Sequence, residues 1–560
     1  MYQGPMKTIK NNSSSAIQIY ALGGLGEIGM NMLVIQHEQD AIIIDAGVMF
    51  PDEYYPGIDL ILPPFLPLFK SDIKVHGIVA THGHEDHIGA VPFVQKNINL
   101  PVIGSRFTLE LLKKKYLEHG LDLKQHKLHQ VKNGDFYDLG PFNIEFIEVS
   151  HSIVDAFALA IDTPMGKLVH TGDFKIDESD PRSKTNIERF GQLGQEGVLL
   201  MLSDSTNVEV PGKSKSESSV KDGLSSLMKE CQGWFVVASF ASHIPRIQQV
   251  IDLSEAHGRK VAVIGRSMVH NVHLAKDLGY LQFEDNTLVD EDEAVLLPRK
   301  KLTLLSTGTQ GEPRAALAKM AYDEHRSYLL QEKDDVVMSS RFIPGNEKAI
   351  YEIINELHRT GANVHTNQGS DIHVSGHAYK EDLRLALDLI KPKHFIPIHG
   401  EYRHLLKHAD LAREQGVKSA LVVENGECAH ITENNSHVER IESLEPILVM
   451  NKQLSQMGES FCKTRRKMAY CGMIVLSLVV DQKNWMWKSD LDIQAPGVFF
   501  KEQEKEMKHK MAAYIENRYF DDLKKQKRFN AMQSIERAAK KFVDLNLGRK
   551  PQVIPIILQV

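Results

Sequence analysis

The sequence predicts an α/β protein of layered mixed sheets carrying two further units, on three observations. Short apolar segments of strand length alternate with helical patterns over roughly the first 200 residues. The texture then changes and a second strand and helix alternation begins; a third change, after residue 431, marks a small α+β tail. The 560 residues, 42% hydrophobic and 25% charged, leave room for two to four domains and are too apolar for disorder throughout. The longest apolar runs, such as Met473–Val480, are strand-sized and far short of the ~18 residues that span a bilayer, so a soluble protein with no membrane association is expected.

In chain order, Met1–Ser15 is polar and lacks the apolar core of a secretory signal. Residues 1–16 are therefore expected to form a disordered leader, and the cytoplasm is the expected location. Residues 17–208 form the first part of the layered domain, with strands at Ile17–Leu22, Met32–Gln36, Ile42–Asp45, Gly77–Thr81, Phe142–Val149, Lys167–Thr171 and Gly197–Asp204 and a helix over Phe107–Glu118. The inserted unit, 209–367, opens on a polar stretch and has strands at Trp234–Phe240, Lys260–Gly265 and Asp335–Ser340. Apolar strands return at His394–Ile398 and Leu421–Glu424, within a second part of the layered domain, 368–431. Thr432–Val438, with its Asn-Asn-Ser core, reads as a linker that we extend to 432–450. The tail, 451–560, has strands at Lys467–Val480 and Gln552–Val560 and helices at Val498–Phe520 and Leu523–Leu545.

Cys231, Cys428, Cys462 and Cys471 form no C-x-x-C pair, which excludes a disulfide framework and a thiolate zinc finger. The net charge of −7, from 66 Lys and Arg against 73 Asp and Glu, argues by itself against a polyanionic partner. It is unevenly divided, because residues 501–550 carry 14 basic and 8 acidic groups; two solvated helix faces suffice to explain that run. The 26 histidines exceed what packing or solubility requires, and histidine is the commonest metal ligand.

Gly24-Leu-Gly26-Glu-Ile-Gly29 satisfies G-x-G-x-x-G, with Asp45 downstream. A dinucleotide site needs a crossover helix after the last glycine. Here Met30–Gln36 and Ala41–Asp45 read as a hairpin instead, so the glycines are assigned to a tight turn or a close backbone approach at the edge of a site.

Thr81-His82-Gly-His84-Glu-Asp86-His87 follows a strand and places three imidazoles and a carboxylate within six residues. No regular element can aim all four at one ion, but a loop leaving a strand can divide them between two. A catalytic zinc takes three protein groups and keeps a position for water, so further ligands are required. His151, Asp173 and His399 each follow an apolar strand and supply them; His76, His126, His129, His170 and His404 are read as structural.

The ordered set Asp45, His82-x-His84-x-Asp86-His87, His151, Asp173 resembles the metallo-β-lactamase fold, a four-layer αββα sandwich whose strand-end loops hold two zincs. Asp204 in Ser203-Asp-Ser-Thr-Asn207, His377 in His373-Val-Ser-Gly-His377, and His399 are similar to the extra motifs of the β-CASP subgroup of nucleic-acid processing nucleases. Gly23 to Asn31, Ser306-Thr-Gly-Thr-Gln-Gly-Glu-Pro313, Ile343-Pro-Gly-Asn-Glu347 and the terminal Arg549-Lys-Pro and Ile554-Pro-Ile-Ile runs resemble bacterial ribonuclease J, from about Ile17 onward.

The resemblance implies a metallo-β-lactamase sandwich with an inserted α/β β-CASP domain and a small C-terminal α+β domain. It makes His82, His84 and His151 ligands of one zinc and Asp86, His87 and His399 ligands of the other, with Asp173 bridging. Asp45 would orient a ligand imidazole from behind. Asp86, Asp204 and His377 are the implied catalytic residues, His377 as general acid or phosphate contact. His373, Val374, Ser375, Gly376 and His377 would hold phosphate oxygens, as would Ser239, Ser242 and Arg246 in the β-CASP domain. There, Phe240-Ala-Ser-His243 departs from the usual Phe-Ala-Ser-Asn.

The implied cofactors are two Zn2+ per subunit, with Mn2+ or Mg2+ as alternatives. Two adjacent ions polarise a phosphodiester and clamp the entering and leaving oxygens, with no protein nucleophile. The implied activity is a hydrolase, a ribonuclease acting as endonuclease and 5′→3′ exonuclease in mRNA decay and rRNA maturation. Its substrate would be single-stranded RNA with a 5′-monophosphate. Assembly into a homodimer or homotetramer through the tail, and association with an RNA helicase or the ribosome, are further expectations. The alternatives are a small-molecule metallohydrolase of the same fold, which would not need the long insertion, and a non-catalytic RNA-binding scaffold, which would not need a full ligand set. Two divalent ions would also answer the charge objection, since they put positive charge where the scissile phosphate lies.

Overall fold

The computed structural model describes residues 16–70, 72–177, 184–343, 345–367, 371–441, 444–451, 453–455, 459–525 and 529–560. The leader expected over 1–16 lies outside these apart from Ala16. The chain divides into two compact units, one comprising residues up to Met49 with Ile61–Pro446, the other Phe50–Leu60 with Ile447–Val560.

In the first unit two mixed sheets face each other. One orders its strands as Ser436–Arg440, Glu427–Ile431, Ile17–Gly23, Met32–His37, Asp40–Ile44, Lys74–Val79, Val102–Gly104 and Leu128–Gln130. The other runs Ser419–Ala420, His394–Ile398, Leu200–Asp204, Gly166–His170, Ala156–Thr163, Phe142–Val149 and Phe136–Leu139. Period-two alternation decides which face each side chain covers. Leu159, Ile161, Leu200, Leu202, Ile396 and Ile398 meet Ile17, Ile19, Leu33, Ile35, Ile42 and Ile44 between the sheets. Ala158, Ala160, Met201 and Phe395 point the other way, onto the helices Ile187–Glu196, Lys380–Ile390 and Tyr402–Glu414 through Phe190, Leu193, Leu387 and Ala409. The helix Arg106–Glu118 packs on Val102–Gly104 and Leu128–Gln130 and supplies the outer layer on the far side, completing the αββα order.

The inserted part holds an all-parallel sheet ordered Lys260–Ile264, Leu302–Ser306, Phe235–Ala238, Asp335–Met338, Asn363–His365. All-parallel sheets need helices on both faces, and the chain provides them with a helix after almost every strand.

Where the sequence reads as a linker, Ser436–Arg440 is a strand paired with Glu427–Ile431 in register Ile431↔Ser436. The Asn-rich stretch is only the turn of that hairpin: Thr432 Oγ1 accepts the Asn435 N–H at 3.1 Å. Leu421–Glu424, read as a strand, is irregular, and the pairing shifts to Ser419–Ala420.

The second unit is a three-stranded sheet, Asp492–Gln494, Met473–Val480 and Gln552–Gln559, with Glu504–Lys525 and Ala531–Leu547 packed on one face through Met511, Ile515, Tyr519, Ile535 and Phe542. The strand expected from Lys467 begins only at Met473, because Glu459–Cys471 is helical and ends at Gly472, whose left-handed backbone (φ 76°) stops the helix.

Candidate metal centre

The carboxyl ends of strands from both facing sheets meet at one edge, and the chemically reactive side chains collect there. Asp45 ends Asp40–Ile44; Thr81 and His82 follow Lys74–Val79; His84 caps the short helix Glu85–Ile88, which carries Asp86 and His87. From the opposite sheet come His151 after Phe142–Val149, Asp173 after Gly166–His170, Asp204 at the end of Leu200–Asp204, and His399 after His394–Ile398. Asp45 and His399 have left-handed backbones (φ 60° and 53°), a conformation uncommon outside glycine that aims both side chains into the site.

The donor atoms of His82, His84 and His151 lie within 4.8 Å of one another, as do those of Asp86, His87, Asp173 and His399. His82 Nε2 is 3.0 Å and His151 Nε2 3.2 Å from His84 Nδ1. Ligand atoms about 2.0–2.1 Å from a tetrahedral zinc stand at similar separations. Asp173 Oδ2 sits between the groups, 3.8 Å from His82 Nε2 and His151 Nε2, 3.2 Å from His87 Nε2 and 3.6 Å from His399 Nε2.

The outward bonds of four imidazoles assign their tautomers. The Gly376 carbonyl, 2.7 Å from His151 Nδ1, can only accept, so that nitrogen carries the proton. Asp45 Oδ2 accepts likewise from His87 Nδ1 at 2.7 Å. Thr81 Oγ1 donates to Asp45 Oδ2 (2.8 Å) and so accepts from His82 Nδ1 (3.1 Å). Thr206 Oγ1 donates to Asp204 Oδ1 (2.7 Å) and accepts from His399 Nδ1 (2.6 Å). All four Nε2 lone pairs therefore point inward, those of His82 and His151 toward His84 Nδ1 and those of His87 and His399 toward Asp173 and Asp86, with the Asn31 amide also beside His87. Such convergence of bare acceptors fits a cation.

Electrostatics separates the two groups. Burial pushes His82 and His151 far below the usual imidazole range and His84 to about 4, so these three stay neutral and able to ligate. Around His87 and His399 burial also opposes protonation, but Asp173 outweighs it, helped by Asp86 and Asp45 at His87 and by Asp204 and Asp86 at His399, and both are pushed up. A proton takes there the position that a metal competes for. Burial works against charge on Asp86, Asp173 and Asp204 as well, and the imidazoles around them overcome it, holding all three carboxylates low.

The glycine-rich run is a turn, as its sequence context implies. A side chain on Gly23 would meet the Met30 carbonyl oxygen at 1.8 Å and one on Gly24 the Asn31 Oδ1 at 2.1 Å. The tight approach carries Asn31 to the centre, where its Nδ2 lies 3.1 Å from His87 Nε2 and 3.0 Å from the Asp86 carbonyl. His377 is brought in beside the metal-ligand candidates, its Nδ1 2.8 Å from Asp204 Oδ2. Ser375 Oγ accepts from Asn207 Nδ2 at 2.8 Å, and Arg341, in the loop after the strand Asp335–Met338 of the inserted part, reaches Asn207 Oδ1.

Other expected contacts are placed differently. Val374 turns its side chain into the apolar core. His373 is pushed well below the ordinary imidazole range by burial, then by Arg246 and His243. Ser239 is buried at the end of its strand and Ser242 half-buried in the loop beyond. Arg246, expected on a phosphate, is wholly enclosed and spends its guanidinium on Glu217 (2.7 Å), the Ile372 carbonyl (2.9 Å) and Ser339. His243, in place of the usual Asn, caps the helix Ile244–Ala256 with Nδ1 accepting from the Arg246 N–H, which is the work an Asn would do there. His76 pairs with Asp40, His170 accepts from the Gly172 N–H, and His404 accepts from the Glu401 N–H, all structural bonds. Asn31, Thr81, Thr206, Asn207 and Arg341 were not legible as site residues; only their positions in strand-end loops beside the histidines marked them.

Four family models match consecutive parts of the chain. They are the metallo-beta-lactamase superfamily over residues 25–204, the ribonuclease J beta-CASP domain over 232–357, a Zn-dependent metallo-hydrolase RNA specificity domain over 363–422, and the ribonuclease J C-terminal domain over 461–560. A ribonuclease J of Corynebacterium glutamicum is 36% identical over 97% of this chain and 76% of its own length. One from Helicobacter pylori is 38% identical over 84% of this chain and 69% of its own length. One from Mycobacterium tuberculosis is 36% identical over 98% of both. A crystal structure of a protein of unknown function from Enterococcus faecalis shares the fold, with a TM-score of 0.54 at 15% identity over 74% of this chain and all of that one. With its metallo-β-lactamase domain, β-CASP insertion and C-terminal domain, the chain belongs to the ribonuclease J family.

Proposed function

We propose that the protein hydrolyses RNA phosphodiesters at a two-metal centre, most plainly supported by the position of Asp173. One carboxylate oxygen stands within 4.0 Å of nitrogens on His82, His87, His151, His377 and His399, the place of a bridging ligand between two cation sites. His82, His84 and His151 would hold one ion; Asp86, His87 and His399 the other. Zinc suits this nitrogen-rich set, with Mn2+ or Mg2+ as alternatives. Such ions supply the Lewis acidity that phosphodiester hydrolysis needs at neutral pH.

The chain's own residues do the rest. Asp45 and Thr206 fix ligand tautomers from behind. Asp204 holds His377 through Nδ1, leaving Nε2 of this part-exposed ring to contact the phosphate or hand a proton to the leaving oxygen. Ser375, fixed by Asn207, and the Gly376 backbone would carry phosphate oxygens nearby. We infer endonuclease and 5′→3′ exonuclease action on single-stranded RNA with a 5′-monophosphate, in mRNA decay and rRNA maturation in the cytoplasm. We also infer a homodimer or homotetramer built through the C-terminal unit, with an RNA helicase or the ribosome as partners.

The test incubates purified protein with 5′-labelled monophosphorylated and triphosphorylated RNA and maps the products. Ends bearing 5′-phosphate and 3′-hydroxyl are expected, with faster release of the labelled nucleotide from the monophosphate. Undiminished cleavage by Asp86→Ala/His87→Ala protein would sink the metal mechanism.

A further inference from the structure

We propose that the β-CASP sheet carries a second binding site, for a ribonucleoside phosphate, in the crevice beyond the strand Lys260–Ile264. A cavity of about 870 Å³ opens there, a size in the range of small-ligand pockets. Arg266, Arg314 and Lys319 line it, and none of them enters an ion pair among the described residues. Three unpaired cations around one cavity stand out in a chain whose net charge is −7. The two carboxylates in the lining, Asp290 and Glu291, offset part of that charge and leave a net of +1, and neither pairs directly with Arg266, Arg314 or Lys319 among the described residues. Asp290 Oδ1 caps the Glu293 N–H at 2.9 Å, and Glu291 accepts from the Ser327 hydroxyl, leaving each with one oxygen to offer.

The chain path sorts these groups by chemistry. The strand Lys260–Ile264 ends at Gly265, and Arg266 opens the helix Arg266–Asp277. After the helix the chain returns alongside the same strand in parallel: the Val261 N–H bonds the Thr287 carbonyl at 2.9 Å and the Val289 N–H bonds the Val261 carbonyl at 3.0 Å. Asp290 follows at once. In a strand, helix, parallel-strand unit, a phosphate sits at the turn into the helix and an acid at the end of the second strand meets ribose hydroxyls. Arg314 and Lys319 line the same cavity from the neighbouring strand's loop and helix, and Val263, Val289, Ala316 and Tyr328 supply an apolar wall for a base. Only Gly265 stands where a dinucleotide fingerprint has three glycines, so the arrangement suits one nucleotide unit rather than a pyrophosphate-linked pair.

The site is separate from the metal centre. Arg341, beside Asn207, leaves the strand Asp335–Met338, which lies three places away in the sheet, ~14 Å at the usual strand spacing. The nucleotide has two sources, a free mononucleotide or a unit of an RNA chain bound beyond the metals; the second rests on the ribonuclease reading above.

Equilibrium dialysis with adenosine 5′-monophosphate, on full-length Asp86→Ala/His87→Ala protein so that the metal centre is weakened, tests the first source, and the charge-reversal variants separate the nucleotide site from what remains of that centre. About one nucleotide per chain is expected, with at least tenfold loss in the Arg266→Glu/Lys319→Glu variant and in Arg314→Ala/Lys319→Ala. Deoxyadenosine monophosphate should bind less well. For the second source, a 20-nucleotide single-stranded RNA should lose at least tenfold in affinity on the same charge reversal, while cleavage of a four-nucleotide RNA by the otherwise wild-type variant stays within twofold. Lys505→Glu/Lys541→Glu, equal in charge change but in the C-terminal unit, should leave both unchanged. Failure of both probes to respond, or an equal response in this control, overturns the site. If wild-type protein cleaves no RNA, the ribonuclease reading falls while the dialysis still decides the nucleotide site.

Discussion

Replacing Asp45 by Asn changes one atom at the back of the metal centre. The amide oxygen still accepts the Thr81 N–H, held at 2.7 Å in the native chain, and Asn tolerates the φ of 60° as Asp does, so the backbone need not move. The amide NH2, however, now stands where Oδ2 lay, 2.7 Å from His87 Nδ1. Two N–H donors then oppose each other unless the imidazole moves its proton to Nε2, the atom 3.2 Å from Asp173 Oδ2. Either outcome removes one buried, charge-assisted hydrogen bond from the ligating form of His87, about 1.5–3 kcal/mol, and the Thr81 hydroxyl, which donates to the same oxygen at 2.8 Å, must turn as well. At 1.4 kcal/mol per factor of ten that is about a 10–150-fold loss of affinity for the ion that we propose the Asp86, His87 and His399 group holds. Dialysis against graded chelator buffers with metal analysis by mass spectrometry reads it directly. The expected variant releases that ion at lower chelator strength and keeps the ion of the three-histidine group longer. Both ions retained to the wild-type midpoint would show that Asp45 does not set the His87 tautomer.

Thr206→Val should lower metal affinity and RNA cleavage about tenfold, because His399 Nδ1 loses its acceptor; Thr206→Ser should restore both, and equal loss in the two variants would contradict the hydrogen-bond role. Gly376→Ala places a Cβ 2.8 Å from His151 Nδ1, so at least tenfold less cleavage is expected with an unchanged circular dichroism spectrum, and wild-type turnover would refute it. His408 is held at about 3 by burial, against an ordinary 6.5, so below about pH 6.5 the unfolded chain takes up a proton that the native chain refuses. That term is fully favourable above pH 6.5 and erodes by up to about 1.4 kcal/mol per unit as pH falls toward 3. Urea midpoints between pH 7 and 5 should fall less steeply in His408→Gln than in wild type, and parallel slopes would exclude the assignment.

The histidine and aspartate cluster was legible in the sequence because its members are chemically rare and sit just beyond apolar strands, where an α/β sheet opens its sites. The groups that hold them were not. Thr81, Thr206 and Asn31 are ordinary residues, and only the fold reveals that their polar atoms meet an imidazole edge. The expectation for Arg246 failed for a related reason: sequence cannot show that Glu217, 2.7 Å away, already occupies the guanidinium. Element boundaries went wrong where local pattern underdetermines structure. Lys467–Cys471 abuts a strongly apolar strand and reads as continuous with it, although Glu459–Cys471 is one helix; Asn434 and Asn435 signal a turn, which is present, but not that the chain on its far side rejoins the sheet.

The metal centre also has a temporal side. His399 Nε2 and Asp86 Oδ2 meet at 3.3 Å although 313 residues separate them along the chain. At synthesis rates of about 5–20 residues per second, roughly 15–60 s pass between the emergence of the two groups. Throughout that interval the nascent polypeptide lacks one side of its ligand set. The cluster therefore closes only after translation has passed residue 399, so the pocket proposed to hold the ions is assembled late in synthesis.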